Sequence, residues 1–187
     1  GFNEPDSVVD LGVGKNMTLS IRYWLQAFNI YQNGGERLEC ARLFIADEQP
    51  ALDPLLESTD SLWLLHYELV TSGYASIYPF FFRDFFRRKS SRHFTESELA
   101  RSLVSWLTSK DKKIPAASSI KKDFRVLLDL YCLKMSEKSE ETMTNLLTDL
   151  DLIVRTPFKS DGEAVFELNA EAADHLSSDL IAALMIL

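Results

Sequence analysis

The spacing of apolar positions along the chain is helical over most of its length. Met17, Ile21, Trp24, Leu25 and Phe28 recur at helical intervals and predict a helix from about Lys15 to Phe28, ended by Asn29. Ahead of it, Asp6 or Ser7 caps a short helix through Leu11, and Gly12 supplies a left-handed stop. Behind it, the stretch from Ile30 to Ile45 contains Asn33-Gly34-Gly35, a hairpin turn. Helix, tight turn, helix and hairpin follow in the order of a winged helix. Asp53-Pro54 and the residues Ser58 to Asp60 then mark a boundary. Leu62, Leu65 and Leu69, with Trp63, His66 and Val70, line adjacent faces of a helix from Ser61 to Ser72, broken by Gly73. The next helix, Ile77 to Lys89, carries Phe80, Phe81, Phe82, Phe85 and Phe86. A helix that is aromatic nearly all round belongs at the centre of a fold.

The same order then returns. Thr95 caps a helix from Glu96 to Leu107, and Glu98 stands where a capping box needs it. Ser118 or Ser119 opens another helix through Leu133, with Ile120, Phe124, Leu127, Leu128 and Tyr131 as its apolar stripe. Ile153 to Arg155 and Val165 to Leu168 predict a hairpin with Lys159 to Gly162 at its tip, and an amphipathic helix from Ala170 to Leu187 closes the chain. The expected fold is mainly α with small β-hairpin wings: tandem winged helix-turn-helix-like units around a central aromatic helix. The expected divisions are a first unit over 1–57, a helical connector over 58–90 and a second unit over 91–187.

Composition alters this picture little. Of 187 residues, 46% are hydrophobic and 26% charged, as in folded domains, which excludes wholesale disorder. No apolar run approaches the roughly 20 residues of a membrane helix, and no leader pattern opens the chain. Cys40 and Cys132 form no recognisable pair, so a reducing cytoplasm is the expected location and the membrane is not an expected partner.

Charge alters it more. The net charge of −8 argues against nucleic acid, but it is unevenly spread. From Arg83 to Arg125 there are 12 Lys/Arg against 5 Asp/Glu, a net of +7; the remaining 8 basic and 23 acidic residues give −15. A basic centre on an acidic body can meet a polyanion locally.

Candidate chemistry follows from these placements. Gly12-Val13-Gly14-Lys15 resembles a phosphate loop, but Val9 and Asn16 stand where that loop needs glycine and Ser/Thr, and no strand precedes it. As a helix-turn-helix, the segment leaves Lys15, Asn16, Ser20, Arg22 and Tyr23 toward the helix start or its outer side, where Lys and Arg suit phosphate or guanine and Asn suits adenine. Arg83, Arg87, Arg88 and Lys89 form a second basic run, with Arg83 and Arg87 on one helical face. Lys121, Lys122 and Arg125 open the presumed recognition helix of the second unit. These twelve residues are the candidate DNA contacts. His66, His93 and His175 have no metal-ligand spacing, and His66 reads as a core residue. No catalytic constellation and no cofactor fingerprint appears, so neither an enzyme, a metal nor a cofactor is expected.

The run Leu11-Gly12-Val13-Gly14-Lys15-Asn16-Met17 with Ser20-Ile21-Arg22-Tyr23-Trp24-Leu25 resembles a bacterial family known as domain of unknown function 4007. So do Asp53-Pro54, Leu62-Trp63-Leu64-Leu65-His66, and Ser119-Ile120-Lys121-Lys122-Asp123 leading to Leu127-Leu128 and Tyr131. One departure is Thr18, where an aliphatic residue would seat the helix better. The resemblance implies a longer N-terminus than this chain has. It also implies a setting of DNA sulfur modification (phosphorothioation) and phage defence, but no catalytic residues. The resulting expectation is a DNA-binding protein that acts in, or regulates, such a system, with plain or phosphorothioate-modified duplex DNA and the proteins of a modification or defence complex as partners. The alternative is a winged-helix adaptor that scaffolds such a complex without touching DNA.

Overall fold

In the computed structural model, the described residues are Gly12, 14–31, Ala41, 50–132 and 146–181. The short N-terminal helix, the hairpin around Asn33-Gly34-Gly35, Cys40 and the last residues of the C-terminal helix lie outside them. The chain divides into two compact units, Gly1–Ala75 and Ser76–Leu187. The division falls inside the stretch read as a connector from the sequence.

In the first unit, α1 spans Lys15–Ala27 and α2 spans Thr59–Thr71. Gly12 has the left-handed φ expected of it, 64°, and Asn29 ends α1 with φ 55°. The ends of the two helices are tied by polar bonds. Asn29 Nδ2 donates to Glu68 Oε2 (2.7 Å), Ser72 Oγ to the Ala27 carbonyl (3.1 Å) and Tyr74 Oη to Gln26 Oε1 (2.6 Å). Ala27, Phe28, Leu62, Trp63, Leu65, Leu69 and Val70 are buried in this unit. The expected stripe of α1 is only partly realised. Phe28 is buried, but Met17 is 56% exposed and Thr18, seen as a poor fit, is buried instead. Thr18 tolerates that place because its hydroxyl donates back to the Gly14 carbonyl (3.4 Å). Asp53 explains the boundary before α2: its carboxylate accepts from the amides of Glu57 (2.9 Å) and Ser58 (3.0 Å). Hydrogen bonds from the Ser61 side chain and from these amides hold its pKa below the ordinary value.

The second unit begins with the aromatic helix, α3, which is uninterrupted but changes pitch. It opens as an α-turn, Ile77–Pro79, widens to a π-helix over Phe80–Phe85, and ends as a 3-10 turn, Phe86–Arg88. The expected regular α-helix is therefore corrected. A π-turn bonds residues five apart, and here it brings rings five apart into contact: Phe80 with Phe85 (6.1 Å) and Phe81 with Phe86 (5.2 Å). Phe80, Phe81 and Phe85 are buried.

Next come β1 (His93–Phe94), α4 (Glu96–Ser109) and α5 (Ala117–Tyr131), then β2 (Ile153–Ser160) and β3 (Glu163–Leu168). The strands form one antiparallel sheet in the order β1-β3-β2. Thr95 caps α4 as expected, its hydroxyl accepting from the Glu98 amide (3.3 Å). The stripe of α5 is realised in full, with Ile120, Phe124, Leu127, Leu128 and Tyr131 all buried. Its start is not: the helix begins after Ala116, and Ser118 and Ser119 lie within its first turn rather than capping it. The β2–β3 turn places Asp161 (φ 51°) and Gly162 (φ 82°) both in the left-handed region, which matches the twist of a two-residue hairpin.

The C-terminal segment is not one continuous helix. Glu171–His175 is a 3-10 turn, and the backbone extends at Leu176 (ψ 130°). Ser177 Oγ then accepts from the Leu180 amide (3.1 Å) and starts a new turn. Among the described residues, no helix is long and apolar enough to cross a membrane.

Two outcomes follow for stability. Phe94 is 1% exposed, so Phe94→Ala should cost about 3–5 kcal/mol in chemical denaturation, whereas Thr95→Ala should cost about 1 kcal/mol. His66 stands edge-on to Trp63 (5.6 Å), and burial pushes its pKa down to about 4 from 6.5. The unfolded chain therefore binds a proton that the folded state refuses in this window. Stability should be full above pH 6.5 and fall as pH drops toward about 4, by roughly 3 kcal/mol from this residue. His66→Gln should show a smaller loss of denaturation midpoint than the wild type between pH 7.5 and 4.5.

Candidate nucleic-acid interface

The buried stripe of α5 fixes which of its residues face outward. Ser118, Lys121, Lys122 and Arg125 follow at i, i+3, i+4 and i+7, opposite that stripe, and all four are exposed. The N-cap residue, Ala116, has no side chain with which to cap the helix, and the amides of Ser119 and Ile120 donate to its carbonyl (2.9 and 3.1 Å). Lys121, Lys122 and Arg125 form no ion pair with a described carboxylate. Asp123 and Val126, also exposed, border the stripe, so the face is basic along one line rather than over the whole surface. The preceding α4–α5 linker adds exposed Lys110, Lys112 and Lys113, with Lys112 Nζ held 5.4 Å from the centre of the Trp106 ring.

The other candidates fall into two groups. Arg83, Arg87 and Arg88 are exposed along α3, and the change of pitch replaces the regular α-face expected for Arg83 and Arg87. Lys89 is committed within the fold: its ammonium pairs with Glu98 and lies 5.4 Å over the Phe85 ring. In the first unit, Lys15, Asn16 and Ser20 are exposed on α1, whereas Arg22 is half-buried. Tyr23 packs edge-on to Trp24 (5.4 Å) and against Tyr74 (5.5 Å), so it helps to hold the fold.

The hairpin contributes residues that the sequence reading did not single out. Arg155, Phe158 and Lys159 are exposed on β2, and Phe158 is 68% exposed. The hairpin tip is fastened to the start of α4, where Glu163 Oε2 accepts from Ser97 Oγ (2.6 Å) and from the Ser97 amide (3.3 Å). These bonds hold the Glu163 carboxyl below its ordinary pKa. At the other end of the hairpin, the Cys132 thiol donates to the Ile153 carbonyl (3.1 Å), and burial pushes its pKa up to about 12. A thiol in that state is a packing group rather than a nucleophile.

The chain is similar to two crystal structures of SspB. The magnesium-bound SspB structure superposes with a TM-score of 0.73 at 26% identity, over 97% of this chain and 55% of that one. A second SspB structure gives 0.72, again at 26% identity and the same coverage. The chain thus spans about half the length of the solved structures it matches. Magnesium needs one or more carboxylates in an octahedral oxygen shell. Among the described residues, no three His, Cys, Asp or Glu side chains lie together as a protein cage for the ion would require. No curated protein matches the chain. The profile of one family, a protein of unknown function (DUF4007), matches residues 1–187, and the chain belongs to that family.

Proposed function

We propose that this chain is a DNA-binding protein of a DNA phosphorothioation or phage-defence system, and that Ser76–Leu187 is a winged helix whose recognition helix is α5. The observation that carries the reading is the element order helix, strand, helix, helix, strand, strand with sheet order β1-β3-β2. In that arrangement α4 and α5 are the helix-turn-helix and β2–β3 is the wing. The outward line of α5 then consists of Ser118, Lys121, Lys122 and Arg125, next to an uncapped helix start. Cations there suit phosphate oxygens, and Arg suits a guanine edge. The similarity to SspB and the sulfur-modification setting implied by the family support the choice of system.

A second reading has its own support. Met17 and Leu19, on α1, are 56% and 54% exposed although both are large and apolar. Such positions suit a protein partner, so the first unit would act as an adaptor while the second holds DNA.

Fluorescence anisotropy of the full chain with a labelled duplex, plain and phosphorothioate, tests the first reading. Affinity should fall steeply with salt. Lys121→Ala/Lys122→Ala/Arg125→Ala should weaken it at least tenfold and lower the salt slope by about 2–3. Absence of binding even at low salt would overturn the reading. Lys15→Ala, which removes one exposed cation from α1, should lower the slope by about 1 if the first unit also meets phosphate. An unchanged slope would assign DNA contact to the second unit alone.

A further inference from the structure

The wing carries a feature that its folding does not require. Pairing along the hairpin runs Ile153↔Leu168, Val154↔Glu167 and Arg155↔Phe166, then resumes at Lys159↔Ala164. Between these points Thr156, Pro157 and Phe158 oppose Val165 alone. A bulge of this kind bends a strand and re-aims a side chain. Its irregular backbone is held by one side chain: Thr156 Oγ1 donates to the Val165 carbonyl (2.8 Å) and accepts from the Phe158 amide (3.4 Å). Pro157 has no amide to lose. The residue set outward by this arrangement is Phe158, 68% exposed, between exposed Arg155 and Lys159.

Pro157 and Lys159 are ordinary ways to blunt an edge strand against aggregation. Neither calls for a phenylalanine, which works against that end. The wing is also fastened at both ends, by Cys132 to Ile153 and by Ser97 to Glu163. An exposed aromatic on a fixed, bulged strand, flanked by cations and with its strand bonded at Ile153 to Cys132 after the end of α5, suits a duplex. An apolar wedge enters the minor groove, and its charged neighbours meet phosphates on either side.

We propose that Phe158 is a direct DNA contact that enters the minor groove beside the site occupied by α5, with Arg155 and Lys159 on the flanking phosphates. This rests on the winged-helix reading above and adds a term that salt does not screen. In anisotropy titrations of the full chain, Phe158→Ala should lose roughly tenfold in duplex affinity while keeping the wild-type salt slope. Phe158→Trp should restore the affinity. Its added emission, measured against the wild-type background of Trp24, Trp63 and Trp106, should be quenched by acrylamide in the free protein and protected in the complex. A minor-groove ligand of the netropsin type should erase the difference between wild type and Phe158→Ala.

Wild-type affinity for Phe158→Ala, together with a tryptophan at 158 that stays open to quencher in the complex, would overturn the proposal and leave the DNA reading standing. Self-association of the wild type that Phe158→Ala abolishes, without a change in DNA affinity, would overturn it in favour of a contact between copies. Failure of the wild type to bind any duplex would remove both readings together.

Discussion

The second unit depends on one aromatic junction. Phe94, in a strand of two residues, meets Phe81 (5.2 Å), Phe85 (6.2 Å) and Phe86 (5.7 Å) on one side and stacks on Phe166 (5.7 Å) on the other. Phe94 and Phe166 are also register partners across β1 and β3. The ring therefore joins the aromatic helix to the sheet, and the backbone pairing that follows sets where the hairpin lies. Edge-to-face and offset contacts of this kind add to area burial and fix ring orientation. The π-turn in α3 serves the same junction, because a wider turn lets Phe80 with Phe85 and Phe81 with Phe86 share one side of the helix.

From that junction, polar contacts carry position outward to the surface. Thr95, next to Phe94, caps α4, and Ser97 in the first turn of α4 holds Glu163 at the hairpin tip. Lys89, at the end of α3, closes on Glu98. These contacts gather the end of the aromatic helix, the start of α4 and the hairpin tip. The line of cations on α5 is fixed differently, by the fully buried stripe behind it. The core thus sets the facing of the proposed recognition helix, and the surface pairs set the wing.

Electrostatics and burial divide the labour between the charged groups. Lys89 and Lys112 are held over aromatic rings and serve the fold at least as much as any ligand. Among the described residues, Lys121, Lys122 and Arg125 have no such engagement, and all three are exposed, so their charge faces solvent or a polyanion. A chain of net charge −8 can thus present a local basic line while the acidic remainder limits indiscriminate association.

The sequence by itself determined that α1, α2, α4 and α5 are helices, that Thr95 caps α4, and that β2 and β3 form a hairpin, because each rests on local rules: the stripe of α5, Thr95 before Glu98, and Asp161-Gly162 in a turn that needs two positive φ values. It also placed Lys121, Lys122 and Arg125 opposite that stripe, since helical phase alone decides this. Tertiary structure decided the rest. A two-residue strand has no periodicity to read, so β1 is visible only through its pairing with β3. The pitch of α3 answers to ring contacts that no residue propensity encodes. Spacing puts Met17 in the core, yet Met17 is exposed and Thr18 is buried, its hydroxyl satisfied by the Gly14 carbonyl. The bulge that exposes Phe158 exists only as a mismatch between two strands, and such a mismatch has no meaning until the strands are paired.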